Sequence, residues 1–183
     1  MPQEQNPTKV ATKWALIFLV TGIVTTYLFQ LLNLPDTSPI RYVSYLFLIG
    51  YLVLTQKEYK EQLGGYLTFG QGFSAGFRYA LFSGLLFGVF MALYLAFLNP
   101  DAMNKIITAQ ADAMTAKGTP SDQVEKSGEI MHKYGAILVS FGVAVWFAIL
   151  GLLISLVTAA ILKKERTAFN TPDVAENYTD PTV

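Results

Sequence analysis

Few side chains in this chain of 183 residues combine a chemistry with a spacing that suits a site. One group is a polar stripe, in which Gly22, Thr26, Gln30 and Asn33 share an arc of about 80° on a helical wheel. Amide side chains in hydrocarbon seek hydrogen-bond partners on neighbouring helices. Two interpretations stay open: the stripe holds helices together, or Thr26, Gln30 and Asn33 line a polar path for a solute.

Two arginines lie next to apolar segments. Arg78 lies near the start of a long apolar helix, close to the expected membrane surface. At this position an arginine can bind an anion or a lipid headgroup. The alternative is an interfacial arginine that pairs with Glu58 or Glu61. Arg41 lies in the first turn of another apolar segment, where a long side chain can reach the headgroups.

Groups for catalysis or for metal binding are scarce. There is no Cys, which excludes disulfides, Cys-ligated zinc, iron–sulfur clusters and a thiol nucleophile, and the single histidine, His132, excludes a multi-His metal site within one chain. Asp112 and either Glu125 or Glu129 lie in the predicted hairpin. This arrangement is more typical of a solvated acidic face than of a cation site. The sequence therefore predicts a protein that is not an enzyme and has no metal or other cofactor.

A ladder of small residues is the most regular pattern. Every fourth residue from 72 to 96 is small: Gly72, Gly76, Ala80, Gly84, Gly88, Ala92 and Ala96. The ladder turns by about 40° per step on a helix, so a crossing partner can follow only part of it. The part expected to make close contact is Gly76, Ala80, Gly84 and Gly88.

A second narrow face of small residues occurs in the last apolar segment. It consists of Ala144, Ala148, Gly151, Ser155 and Ala159, within an arc of about 80°. Small residues let two helix backbones approach closely in a membrane. The two faces therefore predict that the third and fourth spans pack together, within one chain or between two copies.

The composition indicates what these elements are embedded in. Apolar residues make up 52% and charged residues 14% of the chain, whereas soluble domains carry roughly 25% charged residues. This composition predicts an integral membrane protein with lipids as neighbours.

Thirteen basic residues balance thirteen acidic ones, so no basic excess favours nucleic acid. The uncharged run from Trp14 to Leu34 is longer than the apolar core of a signal peptide, which predicts a retained helix.

The predicted fold is all-α, with four transmembrane helices and one extramembrane helical hairpin between the third and the fourth. The spans are expected at residues 14–34, 39–56, 79–98 and 142–162, and the hairpin at 101–133. Residues 14–164 form one domain, preceded by the segment 1–13 and followed by a disordered tail at 165–183. Whether the third and fourth helices continue beyond the bilayer stays open.

Orientation follows from the basic residues near the helix ends. The side of the termini has more of them, namely Lys9, Lys13, Lys57, Lys60, Arg78, Lys163, Lys164 and Arg166. The other side has Arg41, Lys105, Lys117, Lys126 and Lys133. The positive-inside rule therefore predicts cytoplasmic termini and an external hairpin.

Four short motifs carry a resemblance to a known family. They are GYLTFGQGF at 65–73, NPD at 99–101, QVE at 123–125, and GLLISL at 151–156 leading to Lys163 and Lys164. In their order and spacing, from Lys13 to Lys164, they resemble the bacterial membrane-protein family catalogued as domain of unknown function 4199. The resemblance implies four transmembrane helices in a bacterial inner membrane, and it implies no activity, substrate or functional residue.

Two functions from different classes are consistent with the sequence. The first is a non-enzymatic structural or interaction protein that binds itself, partner membrane proteins or lipids through its small-residue faces. The second is a small oligomeric transporter or channel with a polar path along the first helix. A wet polar cavity bounded by Thr26, Gln30 and Asn33 favours the transporter, and a dry, filled bundle counts against it.

Overall fold

The computed structural model describes residues 6–34 and 38–165. Within these ranges the regular structure is helical, apart from an isolated backbone pairing between Leu67 and Lys164. The all-α class is therefore confirmed for the described chain. The predicted disordered tail, from residue 166 onward, lies outside the described residues.

Helix α1 (Pro7–Leu31) begins before the predicted start at Trp14. Asn6 caps it, since its side chain accepts a hydrogen bond from the backbone N–H of Thr8 at 2.9 Å, and Pro7 occupies the first turn, where no backbone N–H is needed. Most of the segment expected to precede the first span therefore forms the first turns of this helix.

Helix α2 (Val43–Gln62) follows a 3₁₀ turn at Pro39–Tyr42. It continues past the predicted end at Gln56, because tertiary contacts hold its charged turns. Glu58 pairs with Lys13, and Lys60 donates a hydrogen bond to the backbone oxygen of Leu162 at 2.8 Å. Gln56 therefore lies inside a helix rather than at its end.

Helix α3 (Phe69–Leu93) starts at a capping box, in which Thr68 and Gln71 satisfy each other's backbone N–H groups. A π-helical turn, Tyr94–Leu98, extends it to Asn99. Helix α4 (Pro100–Ala116) begins there, with the Asn99 side chain accepting a hydrogen bond from the N–H of Ala102 at 3.1 Å.

Helix α5 (Ser121–Leu162) has 42 residues, about 63 Å at 1.5 Å per residue. The second helix of the expected hairpin and the fourth span are thus one continuous helix. Helix α4 folds back along its first part, where Gln110 donates a hydrogen bond to Ser127 at 3.0 Å and Met103 packs on Gly135.

Within the described residues, three helical stretches are long and apolar enough to cross a membrane: Pro7–Leu31, Phe69–Leu98 and Ser121–Leu162. Helix α2 contacts α1, α3 and α5, but it is not one of the three, since charged residues occupy its last turns. The outward faces expose large apolar side chains such as Val20, Leu85 and Ile161, as expected of helices that meet hydrocarbon.

Candidate functional site

The most extensive helix contact joins α3 to α5 within one chain. It follows the small residues, which lie opposite one another as Gly72 with Ala159, Gly76 with Ser155, Ala80 with Gly151, Gly84 with Ala144, and Gly88 with Ser140. A Cβ atom added to Gly84 would lie 2.8 Å from the backbone oxygen of Ala144, and one on Gly88 would lie 3.1 Å from that of Ser140. The backbones here are too close for larger side chains.

This contact differs from the predicted one at three residues, because it includes Gly72 and Ser140, which were not predicted, and does not pair Ala148. It begins at Gly72, one turn before the expected first rung, where an added Cβ would lie 3.2 Å from the Cβ atom of Ala159. Ala148 is only half-buried, and the Cβ atom of the neighbouring Phe147 lies against Gly84 instead.

A buried amide lies beside the same contact. Gln56 has no exposed surface, and its Nε2 group donates to the backbone oxygen of Gly72 at 3.0 Å and to Ser155 Oγ at 3.2 Å. Ser155 Oγ in turn donates to the backbone oxygen of Phe73 at 3.0 Å. Gln56 thus joins α2 to α3 and α5, while its Oε1 atom has no partner within the described residues.

Aromatic rings fill the middle of the bundle. Phe18, Phe87 and Phe147 form a triangle with ring centroids 5.6 to 5.9 Å apart, and Tyr79 packs edge-on against Phe18. Tyr45 packs edge-on against Phe147. We refer to Tyr45, Phe87 and Phe147 as the aromatic floor, because these three also line a cleft.

The cleft has a volume of about 1080 Å³ and lies where α1 ends and α4 begins. Its lining comes from α1, the start of α2, the end of α3, α4 and the middle of α5. The polar lining residues are Thr26, Gln30, Asn33, Ser38, Ser44, Asn99 and Lys105, together with Tyr42, Tyr45 and Tyr94. The predicted stripe of Thr26, Gln30 and Asn33 therefore lies along one wall of a real cavity.

Three of the polar side chains form a hydrogen-bonded chain. Asn99 Nδ2 donates to the hydroxyl oxygen of Tyr94 at 2.9 Å, and this hydroxyl donates to Gln30 Oε1 at 3.2 Å. Asn99 Oδ1 is already used by the cap of α4, which fixes the orientation of its amide. Thr26 donates to the backbone oxygen of Gly22 at 2.8 Å. We call Gln30, Tyr94 and Asn99 the polar wall.

The electrostatics of the cleft are one-sided. Among the lining residues that the structure describes, Lys105 is the only charged one, and it has no ion pair with a described carboxylate. Asp101, one turn earlier on α4, is exposed and does not line the cleft. Sequence reasoning missed Tyr94, Asn99 and Lys105, although the Asn99-Pro100 helix start marked the place.

The other candidates are placed elsewhere. Arg78 is half-buried and donates to Thr8 Oγ1 at 2.8 Å, rather than pairing with Glu58 or Glu61. The side chain of Arg41 lies outside the described residues. His132, Asp112, Glu125 and Glu129 are exposed, and the described chain contains no cluster of three or more His, Asp or Glu side chains that could hold a metal ion.

Comparisons with known proteins give a family and no activity. A family model described as a protein of unknown function, DUF4199, matches residues 13–164. A search of curated proteins found no match, and a search of solved structures found none either.

Proposed function

This chain belongs to the DUF4199 family of proteins of unknown function, and we propose that it is a non-enzymatic membrane protein that binds a lipid in its cleft. The observation that carries the proposal is the combination of a polar wall and an aromatic floor in one cavity of about 1080 Å³. Small-molecule sites commonly measure about 300–1,000 Å³ and are mainly apolar with a few placed polar groups. A lipid supplies both kinds of surface.

Binding fits the geometry better than passage does. Phe87 and Phe147 line the cleft with rings that pack on Phe18, and α3 and α5 are in backbone contact beside them at Gly84 and Ala144. The alternative, a small oligomeric transporter, is favoured by one observation, namely that Thr26, Gln30 and Asn33 all line the cleft. A flux of solute through reconstituted vesicles that Gln30→Leu abolishes would support the transporter instead.

The proposal includes a topology. Helix α2 crosses the membrane as a fourth span, with its apolar turns up to Gln56 in hydrocarbon and its charged turns in the interface. Both termini are cytoplasmic in a bacterial inner membrane, and the start of α5 with α4 lies outside. The cleft then opens toward the outer leaflet, where membrane lipids reach it directly.

The absence of Cys from the sequence makes this topology testable. Cys placed at Ile40, before α2, should react with an impermeant thiol reagent in spheroplasts. Cys at Glu61, in the last turn of α2, should react only after the membrane is opened. Equal labelling of both positions from outside would show that α2 does not span the membrane. If a reporter that is active only in the cytoplasm is inactive when fused to Val183, the proposed orientation is wrong.

The binding itself is tested by native mass spectrometry after purification in mild detergent. We expect about one lipid per chain in the parent protein and less in Gly142→Leu, since Gly142 lines the cleft and has free space around it. Gly50→Leu is the matched control, because Gly50 is exposed on α2 and also has free space around it. Equal lipid retention by all three proteins would contradict the proposal.

A further inference from the structure

The hydrogen-bond directions in the polar wall determine which groups stay available to a ligand. The N–H of Ala102 occupies Asn99 Oδ1, and Asn99 Nδ2 donates one N–H to the Tyr94 hydroxyl, which leaves its second N–H as a donor. Because Nδ2 donates to Tyr94, the tyrosine hydroxyl uses its proton on Gln30 Oε1. The amide of Gln30 is thereby oriented as well, and its Nε2 group is left as a donor.

The wall therefore offers N–H donors to a ligand, and each of its two amide oxygens already accepts one hydrogen bond. Lys105 adds an ammonium group with further donors to the same lining, and no described acidic residue shares the lining. A ligand group that is rich in acceptors and carries negative charge complements this arrangement. A phosphate in a headgroup has both properties.

The rest of the lining favours a ligand with apolar parts over a free inorganic anion. Phe29, Phe87, Met91, Leu95, Ile106, Val143 and Trp146 contribute apolar side chains. Apolar surface of this kind is stabilised by an acyl chain rather than by a hydrated ion. Its position between the helix ends also suits a molecule whose headgroup lies at the membrane surface.

We infer that the cleft takes a membrane phospholipid with a net negative headgroup, held by Lys105 and by the donors of Gln30 and Asn99, with its acyl chains toward the aromatic floor. This inference rests on the proposed function and names the class of its ligand. It assigns Lys105 as the residue that distinguishes anionic from zwitterionic lipid.

The two tryptophans of the chain provide the probe. Trp146 lines the cleft, whereas Trp14 lies near the start of α1 with its Nε1 group donating to Glu58 at 2.8 Å. In Trp14→Phe, Trp146 is therefore the only tryptophan. Brominated phosphatidylglycerol or brominated phosphatidylcholine, titrated into this variant in detergent, should quench Trp146 in a saturable way. Phosphatidylglycerol should be about fivefold tighter, from one lysine near the headgroup.

Lys105→Gln in the same background should remove that preference while quenching by phosphatidylcholine persists. Lys117→Gln, which removes the same charge at the exposed end of α4 outside the cleft, should leave the preference intact. Equal affinity for the two lipids in the Trp14→Phe protein, or a preference that survives Lys105→Gln, would overturn the inference and leave lipid binding standing. No saturable quenching by either lipid would overturn both, and displacement by millimolar inorganic phosphate would identify an ion site rather than a lipid site.

Discussion

Helix α5 carries two glycines with opposite surroundings. Gly151 lies so close to Ala80 of α3 that a Cβ atom added to Gly151 would overlap Ala80. A Cβ atom added to Gly142, which lines the cleft, would have no atom of another helix within 4 Å. The first region is a contact between backbones and the second is a space between helices. One residue type therefore closes the bundle at one face of a helix and leaves space at another, depending on whether a partner helix packs against it.

The strongest test of this contrast is one substitution made in both regions. Gly84→Leu should destabilise the protein by about 3 kcal/mol, because backbone atoms of α5 must move to admit the side chain. Gly142→Leu, introducing the same side chain into the cleft, should change stability by about 0.5 kcal/mol or less. Thermal unfolding in detergent measures both effects. Similar losses of stability in the two variants would show that Gly84 and Gly142 do not differ in the space around them.

Gln56→Met should have the next largest effect. The variant keeps the approximate length of the side chain and removes the donor that joins α2 to Gly72 and Ser155. We expect a loss of about 1–2 kcal/mol, the range of an interhelical hydrogen bond in a membrane protein. The same change at the exposed Gln123 is the control, and an equal effect at both positions would show that the buried amide does not hold α2 in place.

Asn99→Ala should cost about 1 kcal/mol, because α4 loses its cap. It should also weaken lipid binding, since Tyr94 and Gln30 lose the bond that orients them. Asn104→Ala, an exposed change on the same helix, should do neither. The readouts are thermal unfolding and lipid retention in native mass spectra. Unaltered lipid retention in Asn99→Ala would show that the polar wall does not contribute to the site.

The sequence predicts the α3 and α5 faces well because small residues at helical spacing encode close approach locally. The all-helical class and the family are confirmed, and both rest on periodicity and motifs that extend along most of the chain. The residues of the polar stripe were also identifiable, since Thr26 and Gln30 stand out in an apolar helix, whereas Asn33 lies just beyond the end of that helix at Leu31.

The charge pattern alone misplaces Gln56, because Lys57 and Glu58 are typical of a helix end. The helix continues only since Lys13 and the end of α5 stabilise its charged turns. A spacing signal did exist, for Leu48, Leu52, Gln56 and Tyr59 recur on one helical face and are all buried. The cleft could not be predicted from the sequence, because α1, α4 and α5 contribute to it from distant segments. Periodicity shows which face of each helix is apolar, but it does not specify which faces meet.

We propose that the cleft, and not the α3 and α5 contact, is where this protein binds lipid. The most direct test is the lipid-dependent shift in thermal unfolding of the parent and Gly142→Leu in detergent. Phosphatidylglycerol at 100 times its half-saturating concentration should stabilise the parent by about 2.7 kcal/mol, and Gly142→Leu should show little shift. Equal stabilisation of both proteins, or no stabilisation of the parent, would show that lipid does not bind in the cleft.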